Sequence, residues 1–180
     1  LGGGVGIAEI LPVLRALKGA GCDITTILGG RTKELVILVD QVKELTNQLI
    51  ITTNDGSLGE EGLVTAPLGR LIKESQDYGL VFCVGPVPMM KAVSDLTRSH
   101  KIKTTVCLNS IMVDGTGMCG CCRVTIGKEN KFTCVDGPDF DGHLVDFDEL
   151  MNRQRIFNEH EKHALCKLDE QIKKDKENTN

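Results

Sequence analysis

Three cysteines crowd into the segment DGTGMCGCC, residues 114–122, which lacks the alternation of apolar and polar residues that is typical of a strand. Asp114, Cys119 and Cys122, together with the later Cys134, follow the spacing D-x4-C-x2-C-x11-C. Plant-type iron–sulfur proteins use C-x4-C-x2-C with a more distant fourth cysteine. The spacing therefore predicts an iron–sulfur site with an aspartate as its first ligand, and this hard oxygen donor would alter the reduction potential.

Two other interpretations of the same thiols remain open. Zinc also binds C-x2-C pairs, although a closed structural zinc site usually has a second tight pair, which this sequence lacks. A redox-active dithiol of Cys119 and Cys122 would leave Asp114 and Cys134 without a role. Cys121 lies between the two loop ligands, where its side chain either points away from the site or replaces one of them.

The composition limits the classes of function. The chain has 180 residues, of which 41% are hydrophobic and 3% aromatic, so we expect one domain with an aliphatic core and an appendage. A net charge of −4 without a basic block argues against nucleic acid as a partner. The sequence has neither an apolar run of membrane-spanning length nor a leader, so we expect no membrane partner and a cytoplasmic protein. In that compartment, eight cysteines favour metal or redox chemistry over disulfides.

Residues 1–109 alternate helical and strand patterns, which favours an α/β fold with a doubly wound parallel sheet. Helical spacing covers residues 7–21, 32–45, 63–75 and 86–100, and strand patterns cover 23–28, 47–53, 78–85 and 101–109. Because the chain opens directly on a glycine-rich loop, we expect the first strand to be missing and the chain to be a shortened form. We predict a nucleotide-binding domain at 1–109, a cysteine-rich module at 110–147, and a C-terminal helix with a polar tail at 148–180.

The cysteine-rich module and the C-terminal region have weaker patterns. Residues 122–127 and 131–137 resemble two short strands around a turn at 127–130. The acid-rich stretch that follows is best explained as solvated residues that lead into the last helix and cap it, with Asp146 or Asp148 near the helix N-terminus. Helical spacing runs over 148–175, and we expect the polar end KKDKENTN to lack fixed structure.

Ligands of parallel sheets bind at the carboxyl ends of the strands, where three segments are predicted to lie: 2–6, 29–31 and 85–89. The loop GGGVG precedes a helix, and backbone amides at a helix N-terminus can hold a pyrophosphate. It does not match the usual G-x-G-x-x-G pattern, and a plain strand-to-helix turn remains an alternative. Arg31 and Lys33 are placed to meet an adenosine ribose or its 2′-phosphate, or to be solvated charges.

Five segments, in order, resemble the ferredoxin reductase-like electron-transfer subunit family: LGGGVGIA, GGRTKELVIL, CVGPVPMM, LNSIMVDGTGMCGCCRV and FTCVDGPDFDGHLVDFDELMNRQ. The family includes the dihydroorotate dehydrogenase electron-transfer subunit and the small subunit of sulfide dehydrogenase or NADH-dependent ferredoxin–NADP oxidoreductase. The aspartate in the first ligand position resembles the second branch. Two positions depart from the family pattern, namely Glu9, where proline is usual, and Cys121, where a small residue is common.

The resemblance implies an FAD-binding barrel, an NAD(P)H-binding domain and a 2Fe–2S module, of which this chain matches the last two. Hydride would pass from nicotinamide to flavin, and electrons would leave singly through the cluster to a large flavoprotein or iron–sulfur subunit, or to ferredoxin. Without the FAD domain, we expect the chain alone to be inactive as an NAD(P)H-dependent oxidoreductase. The alternative is a zinc-stabilised or apo nucleotide-binding module without redox activity of its own.

The resemblance also assigns residues. The implied cluster ligands are Asp114, Cys119, Cys122 and Cys134, and no residue is assigned a catalytic role. The implied cofactor-binding residues are Gly3, Gly4, Val5, Gly6, Arg31, Gly85, Pro86 and Met89.

Overall fold

A computed structural model describes residues 1–74 and 77–178 of the chain. Its strands are β1 (Gly2–Gly3), β2 (Thr25–Gly30), β3 (Gln48–Thr53), β4 (Glu60–Glu61), β5 (Val81–Val84), β6 (Thr104–Cys107), β7 (Arg123–Ile126), β8 (Glu129–Phe132) and β9 (Asp139–Asp141). Its helices are α1 (Gly6–Gly19), α2 (Val39–Leu45), α3 (Thr65–Glu74), α4 (Val87–Ser99), α5 (Phe147–Gln154) and α6 (Asn158–Asn178), with a 3-10 turn at Lys33–Leu35.

The main sheet has seven strands in the order β4-β3-β2-β1-β5-β6-β9, and every pair except β6–β9 is parallel. Strand β1 lies at the centre, between β2 and β5, although it has only two residues. The expectation that the first strand is missing is therefore wrong, because Gly2 and Gly3 form it themselves. The switch in strand order at β1 leaves a crevice at the carboxyl edge of the sheet, the usual place for ligands.

Helices cover both faces of the sheet, which confirms the doubly wound α/β fold. Successive residues of a strand point to opposite faces, so Leu28 packs with α1 and α2 while Ile27 packs with α3 and α4. Helix α1 buries Ile7, Ile10 and Leu14, which follow helical spacing. It ends at Gly19, and Gly21 follows in the left-handed conformation with φ 75°, as a C-terminal glycine commonly does.

The predicted helix over residues 32–45 is wrong in its first half. Only the short 3-10 turn and α2 are helical, and Val36 between them is extended and buried against the α1 face of the sheet. Leu38 has a φ of 58°, which interrupts any helix at that point. The apolar run from Leu35 to Val39 resembles a helix face, but Leu35 and Ile37 are exposed while Val36 is buried in the core.

Strands β7 and β8 form the hairpin predicted after the cysteines, with a tighter turn than expected. The turn is at Gly127 and Lys128, so β8 begins at Glu129 and ends at Phe132, and Cys134 follows the strand rather than lying within it. Strand β9 has no counterpart in the predicted elements; it pairs antiparallel with β6 and so attaches this region to the main sheet. The domain boundaries at 109 and 147 stay predictions.

The single C-terminal helix predicted over 148–175 is two helices. Asp146 caps α5 by accepting a hydrogen bond from the Glu149 amide at 2.9 Å, which agrees with its predicted place. Helix α6 reaches Asn178, so most of the end expected to lack structure is helical; residues 179–180, like Ser75 of the predicted third helix, lie outside the described residues. In the part of the chain that is described, no helix combines the length and apolar character needed to cross a membrane.

Candidate functional site

A cavity of about 470 Å³ opens at the carboxyl edge of the sheet, at the ends of β1, β2 and β3 and the start of α4. Of the residues predicted to hold a nucleotide, Gly3, Gly4, Arg31, Pro86 and Met89 line it. Val5, Gly6 and Gly85 do not line it. The structure therefore brings five of the eight predicted residues to one concave site, as expected for a ligand pocket at a switch in strand order.

Glycines at the cavity allow close approach of the backbone segments around it. A Cβ on Gly3 would lie 2.5 Å from the Met89 sulfur, and one on Gly29 would lie 2.5 Å from Cγ1 of Val64. Gly4 has a φ of 56°, which disfavours residues with a side chain, and a Cβ there would meet no protein atom within 4 Å. Gly4 thus borders open space inside the cavity.

Gly6 has a packing role that its predicted role in nucleotide binding did not include. A Cβ on Gly6 would lie 2.6 Å from the Val84 carbonyl oxygen, so the first turn of α1 rests directly on the backbone of β5. Gly85 is similar, because its Cβ would lie 2.8 Å from Cε of Met89. Both residues therefore shape the cavity from outside its lining.

The backbone amides of Val5 and Gly6 have no acceptor among the hydrogen bonds of the described residues, whereas the Gly4 amide donates to the Gly29 carbonyl at 3.0 Å. Unpaired amides in the first turn of a helix are the groups that bind anionic oxygens. The start of α1 can therefore accept a phosphate group next to the cavity.

Residues from the β3 side of the cavity are absent from the predicted set. Thr52 and Asn54 at the end of β3, and Leu63 and Thr65 before and within α3, also line the cavity. In the sequence, Thr52 and Asn54 could have been identified from the end of the strand pattern at residue 53. Strand β3 is a parallel neighbour of β2, so its carboxyl end lies at the same edge of the sheet as the cavity.

Glu9 does not face the cavity. Together with Asp139 it acts on the Cys107 thiol, whose pKa is raised to about 12 by burial and then by the charge and hydrogen bond of Asp139 and the charge of Glu9. Burial likewise raises the pKa of Cys83, inside β5, to about 11. Both thiols stay protonated at neutral pH; Cys83 packs as an apolar side chain in the core, and Cys107 is hydrogen-bonded to Asp139.

The cysteine loop, residues 109–122, joins β6 to β7. Three of its glycines, Gly115, Gly117 and Gly120, have positive φ values of 82°, 87° and 69°, so the chain turns sharply around the thiols. Asp114 accepts hydrogen bonds from the Thr116 amide at 3.2 Å and from the Thr116 hydroxyl, and these bonds hold the pKa of its carboxyl below the usual range. Cys119 is exposed on the same loop.

Two thiols meet in the interior of this region. The sulfurs of Cys122 and Cys134 are in hydrogen-bond contact at 3.3 Å, and Cys122 is only 2% exposed. The Thr133 amide and hydroxyl both donate to the Cys122 carbonyl, at 3.2 and 3.3 Å, which ties the loop to the end of β8. Hairpin geometry thus brings the distant Cys134 to the loop, as its spacing predicts.

The thiols of the region differ in acidity. Burial opposes ionisation of Cys122, but hydrogen bonds from the Cys134 backbone and thiol outweigh it and lower the pKa of Cys122; the pKa of Cys134 is raised by its hydrogen bond to Cys122. Backbone hydrogen bonds at Cys121 and Asp114 lower the pKa of Cys119, and the hydrogen bond to Cys119 raises the pKa of Cys121. In each pair the member with the lowered pKa, Cys119 or Cys122, is the more acidic thiol.

Among residues 1–74 and 77–178, no group of three or more His, Cys, Asp or Glu side chains is arranged as a metal site. The predicted ligands Asp114, Cys119, Cys122 and Cys134 lie on one loop and the adjoining hairpin, and of these only Cys122 and Cys134 have sulfurs in hydrogen-bond contact. Cys119 and Cys122 have lowered pKa values while that of Cys134 is raised, and thiols together with a carboxylate such as Asp114 are the donor types that suit iron–sulfur clusters. The residues present thus fit such a group, and the ligand set stays a prediction.

Comparison with known proteins finds matches to the cysteine-rich region and to most of the chain. The iron–sulfur cluster binding domain of dihydroorotate dehydrogenase B matches residues 109–146. The chain is 49% identical over 162 residues to a dihydroorotate dehydrogenase B electron transfer subunit homolog of Thermotoga maritima, covering 90% of this chain and 57% of that protein. It is 34% identical over 145 residues to the electron transfer subunit of Clostridium perfringens, covering 81% of this chain and 57% of that one.

A solved structure of an NADH-dependent reduced ferredoxin–NADP oxidoreductase superposes with a TM-score of 0.83 at 47% identity, covering 93% of this chain and 60% of that one. The chain therefore spans somewhat more than half the length of these relatives. The resemblance predicted from the sequence is confirmed. Over most of its length the chain is similar to electron-transfer subunits of the ferredoxin reductase-like family, and its residues 109–146 match the iron–sulfur cluster binding domain of dihydroorotate dehydrogenase B.

Proposed function

We propose that the chain binds NAD(P)H in the carboxyl-edge cavity and carries electrons through a 2Fe–2S cluster held by Asp114, Cys119, Cys122 and Cys134. The observation that carries the proposal is the match of the iron–sulfur domain to 109–146, which contains all four of these donors. When bound, the cluster supplies one-electron transfer.

The residues of the cavity have distinct roles in this proposal. The free amides of Val5 and Gly6 bind the pyrophosphate of the nucleotide, and Gly4 leaves room for it. Arg31, at the end of β2, lies where the adenosine ribose or its 2′-phosphate would bind. Met89 and Pro86, on the β5 side, border the nicotinamide half.

Relatives named as electron transfer subunits point to a partner, which we propose is a larger catalytic flavoprotein or iron–sulfur subunit, with ferredoxin as a further acceptor. In the whole protein we propose that a bound FAD would supply the conversion between two-electron transfer at NAD(P)H and one-electron transfer at the cluster. The flavin would be bound by a part of the family architecture that this chain does not match, so the chain by itself should bind NAD(P)H without oxidising it.

Iron and acid-labile sulfide analysis after anaerobic purification tests the cluster. The proposal expects two irons and two sulfides per chain with visible absorption, as the definition of a 2Fe–2S centre requires. Replacement Asp114→Cys should keep the cluster and lower its potential, since a thiolate donates more electron density than a carboxylate. A colourless protein with stoichiometric zinc, or an unchanged potential in this variant, would contradict the proposed ligand set. Cys166→Ser, at an exposed thiol of α6, is the control and should keep both iron and potential.

A further inference from the structure

The cysteine loop has little backbone support of its own. From Ser110 to Cys119 it makes no backbone-to-backbone hydrogen bond to the rest of the described chain. Its hydrogen bonds are local ones at Asp114 and at the Cys119 thiol, together with one from the Gly117 backbone to the Cys134 thiol. A segment of this kind is expected to open easily, because few bonds and few buried groups oppose its motion. The free energy of metal binding to such a loop is reduced by the free-energy cost of ordering the loop.

Two adjacent side chains of α5 hold the two ends of this loop. Gln154 donates through Nε2 to the Asn109 carbonyl at 2.8 Å and lies 3.3 Å from Oδ1 of the same residue. Arg153 donates through Nη2 to the carbonyl of Cys121 at 3.1 Å. The first bond fixes the entry to the loop, and the second fixes a point between Cys119 and Cys122.

Helix α5 is itself firmly held. Phe147 and Leu150 are 4% and 1% exposed and belong to the hydrophobic core, where α5 packs against α4 and β7. The Asp146 cap closes its first turn, and Asp148 pairs with Lys91 of α4 at 2.6 Å. Side chains near the C-terminal end of an anchored helix can position an irregular loop more accurately than the loop can position itself.

We propose that Arg153 and Gln154 are positioning residues that preorganise the cysteine loop for its metal centre. They attach the segment that carries Cys119 to the helix at Asn109 and Cys121 before metal binds, so less ordering cost is subtracted from the binding free energy. The inference rests on the proposed ligand role of these thiols, but its structural part, the fixing of the loop by α5, does not require iron to be present.

The test compares Arg153→Ala and Gln154→Ala with Arg155→Ala, all in the full chain. Arg155 is an exposed arginine directly after the same helix, and it makes no hydrogen bond to the loop among the described residues, so its replacement removes a charge but not a loop contact. The first readout is limited subtilisin proteolysis of the metal-free chain, with cleavage sites read by mass spectrometry. The second is the rate of iron loss to a chelator after reconstitution.

In Arg153→Ala and Gln154→Ala, we expect cleavage within residues 110–121 to become about tenfold faster or more, with cleavage elsewhere unchanged. This factor corresponds to the free energy that is typically lost with one charged or well-formed hydrogen bond. Iron loss should be faster by a similar factor, and Arg155→Ala should match the wild type in both readouts. Arg153→Lys, which keeps a cationic donor, should recover part of the protection.

Wild-type cleavage rates in both alanine variants would overturn the proposal, as would an equal effect of Arg155→Ala. If Arg153→Ala accelerates cleavage throughout the sheet, the variant has lost global stability and Gln154→Ala decides the outcome. A wild-type chain that binds no iron would refute the proposed function, while localised cleavage in the metal-free variants would still establish the positioning role. Normal iron content with unchanged loop cleavage would refute the positioning role and leave the proposed function standing.

Discussion

Replacement of Gly4 by alanine separates nucleotide binding from stability. Gly4 has a φ of 56°, and a Cβ built on it meets no protein atom within 4 Å, so the substitution is strained but not blocked by the protein. The left-handed conformation costs a residue with a side chain about 1–2 kcal/mol. The smaller conformational entropy of alanine in the unfolded chain returns about 0.4–1 kcal/mol.

We therefore expect Gly4→Ala to lower the free energy of unfolding by about 1 kcal/mol, which is a Tm decrease of about 2–4 °C for a chain of this size. The new methyl group would lie in the space where the cavity meets the free amides of α1. Affinity for NADH or NADPH should fall by about tenfold or more, because a pyrophosphate held by those amides must approach the backbone closely.

Gly21→Ala is the matched control. Gly21 has a φ of 75°, and its Cβ also meets nothing within 4 Å, but it lies after the C-terminal end of α1, away from the cavity lining. Its unfolding free energy should fall as much as that of Gly4→Ala, with nucleotide affinity unchanged. Thermal unfolding and isothermal titration calorimetry measure the two quantities. Normal affinity in Gly4→Ala, or an equal loss of affinity in Gly21→Ala, would refute the assignment of the nucleotide to this loop.

Two further predictions concern α1 and the cysteine loop. Gly6→Ala should lower the free energy of unfolding by about 1–3 kcal/mol, because its Cβ would lie 2.6 Å from the backbone oxygen of Val84; Gly19→Ala, at the open end of the same helix, should not. Urea unfolding curves that coincide for the two variants would contradict this packing. In the metal-free chain, Cys119 should be alkylated by iodoacetamide at neutral pH faster than the exposed Cys166, since a lowered pKa gives more thiolate. Equal rates of modification, read by peptide mass spectrometry, would show that the loop does not activate Cys119.

The parts of the fold that could be predicted are those in which local pattern and burial agree. Strand β5 is a continuous apolar run between glycines, and α1 has apolar residues at helical spacing followed by a glycine terminator, so each pattern admits one structure. The prediction around Leu38 is wrong because a short apolar stretch is compatible with a helix face and with an extended segment crossing the core. Tertiary packing of Val36, which no local pattern reveals, decides between them.

Strand β9 shows a second limit of local reasoning. Its sequence, Asp-Phe-Asp, has two acidic residues that are rare in strands, and its extended form depends on pairing with β6, more than thirty residues earlier. The residues of the candidate cavity also fall into two groups, those with a local signal in the sequence and those brought there by strand pairing. The glycines after β1 and β5 carry a local signal, whereas Thr52 and Asn54 reach the cavity only because β3 lies beside β2 in the sheet.

Helix α4 links the two parts of the candidate site. Met89 in its first turn fills the space between Gly3 and Gly85 at the cavity, and Lys91, two residues later, pairs with Asp148 of α5, the helix that holds the cysteine loop.

Further along α4, the buried Thr97 hydroxyl lies 3.0 Å from Nε2 of His143, which follows β9 after one residue. The cysteine-rich region is therefore tied to the main sheet and α4 by a strand, a helix contact and a part-buried hydrogen bond rather than by a single linker. Because α4 takes part in both sites, a ligand that displaces Met89 acts on the same helix that supports α5. Changes that loosen α4 should affect the cavity and the cysteine loop together, whereas changes in Arg153 should affect the loop alone.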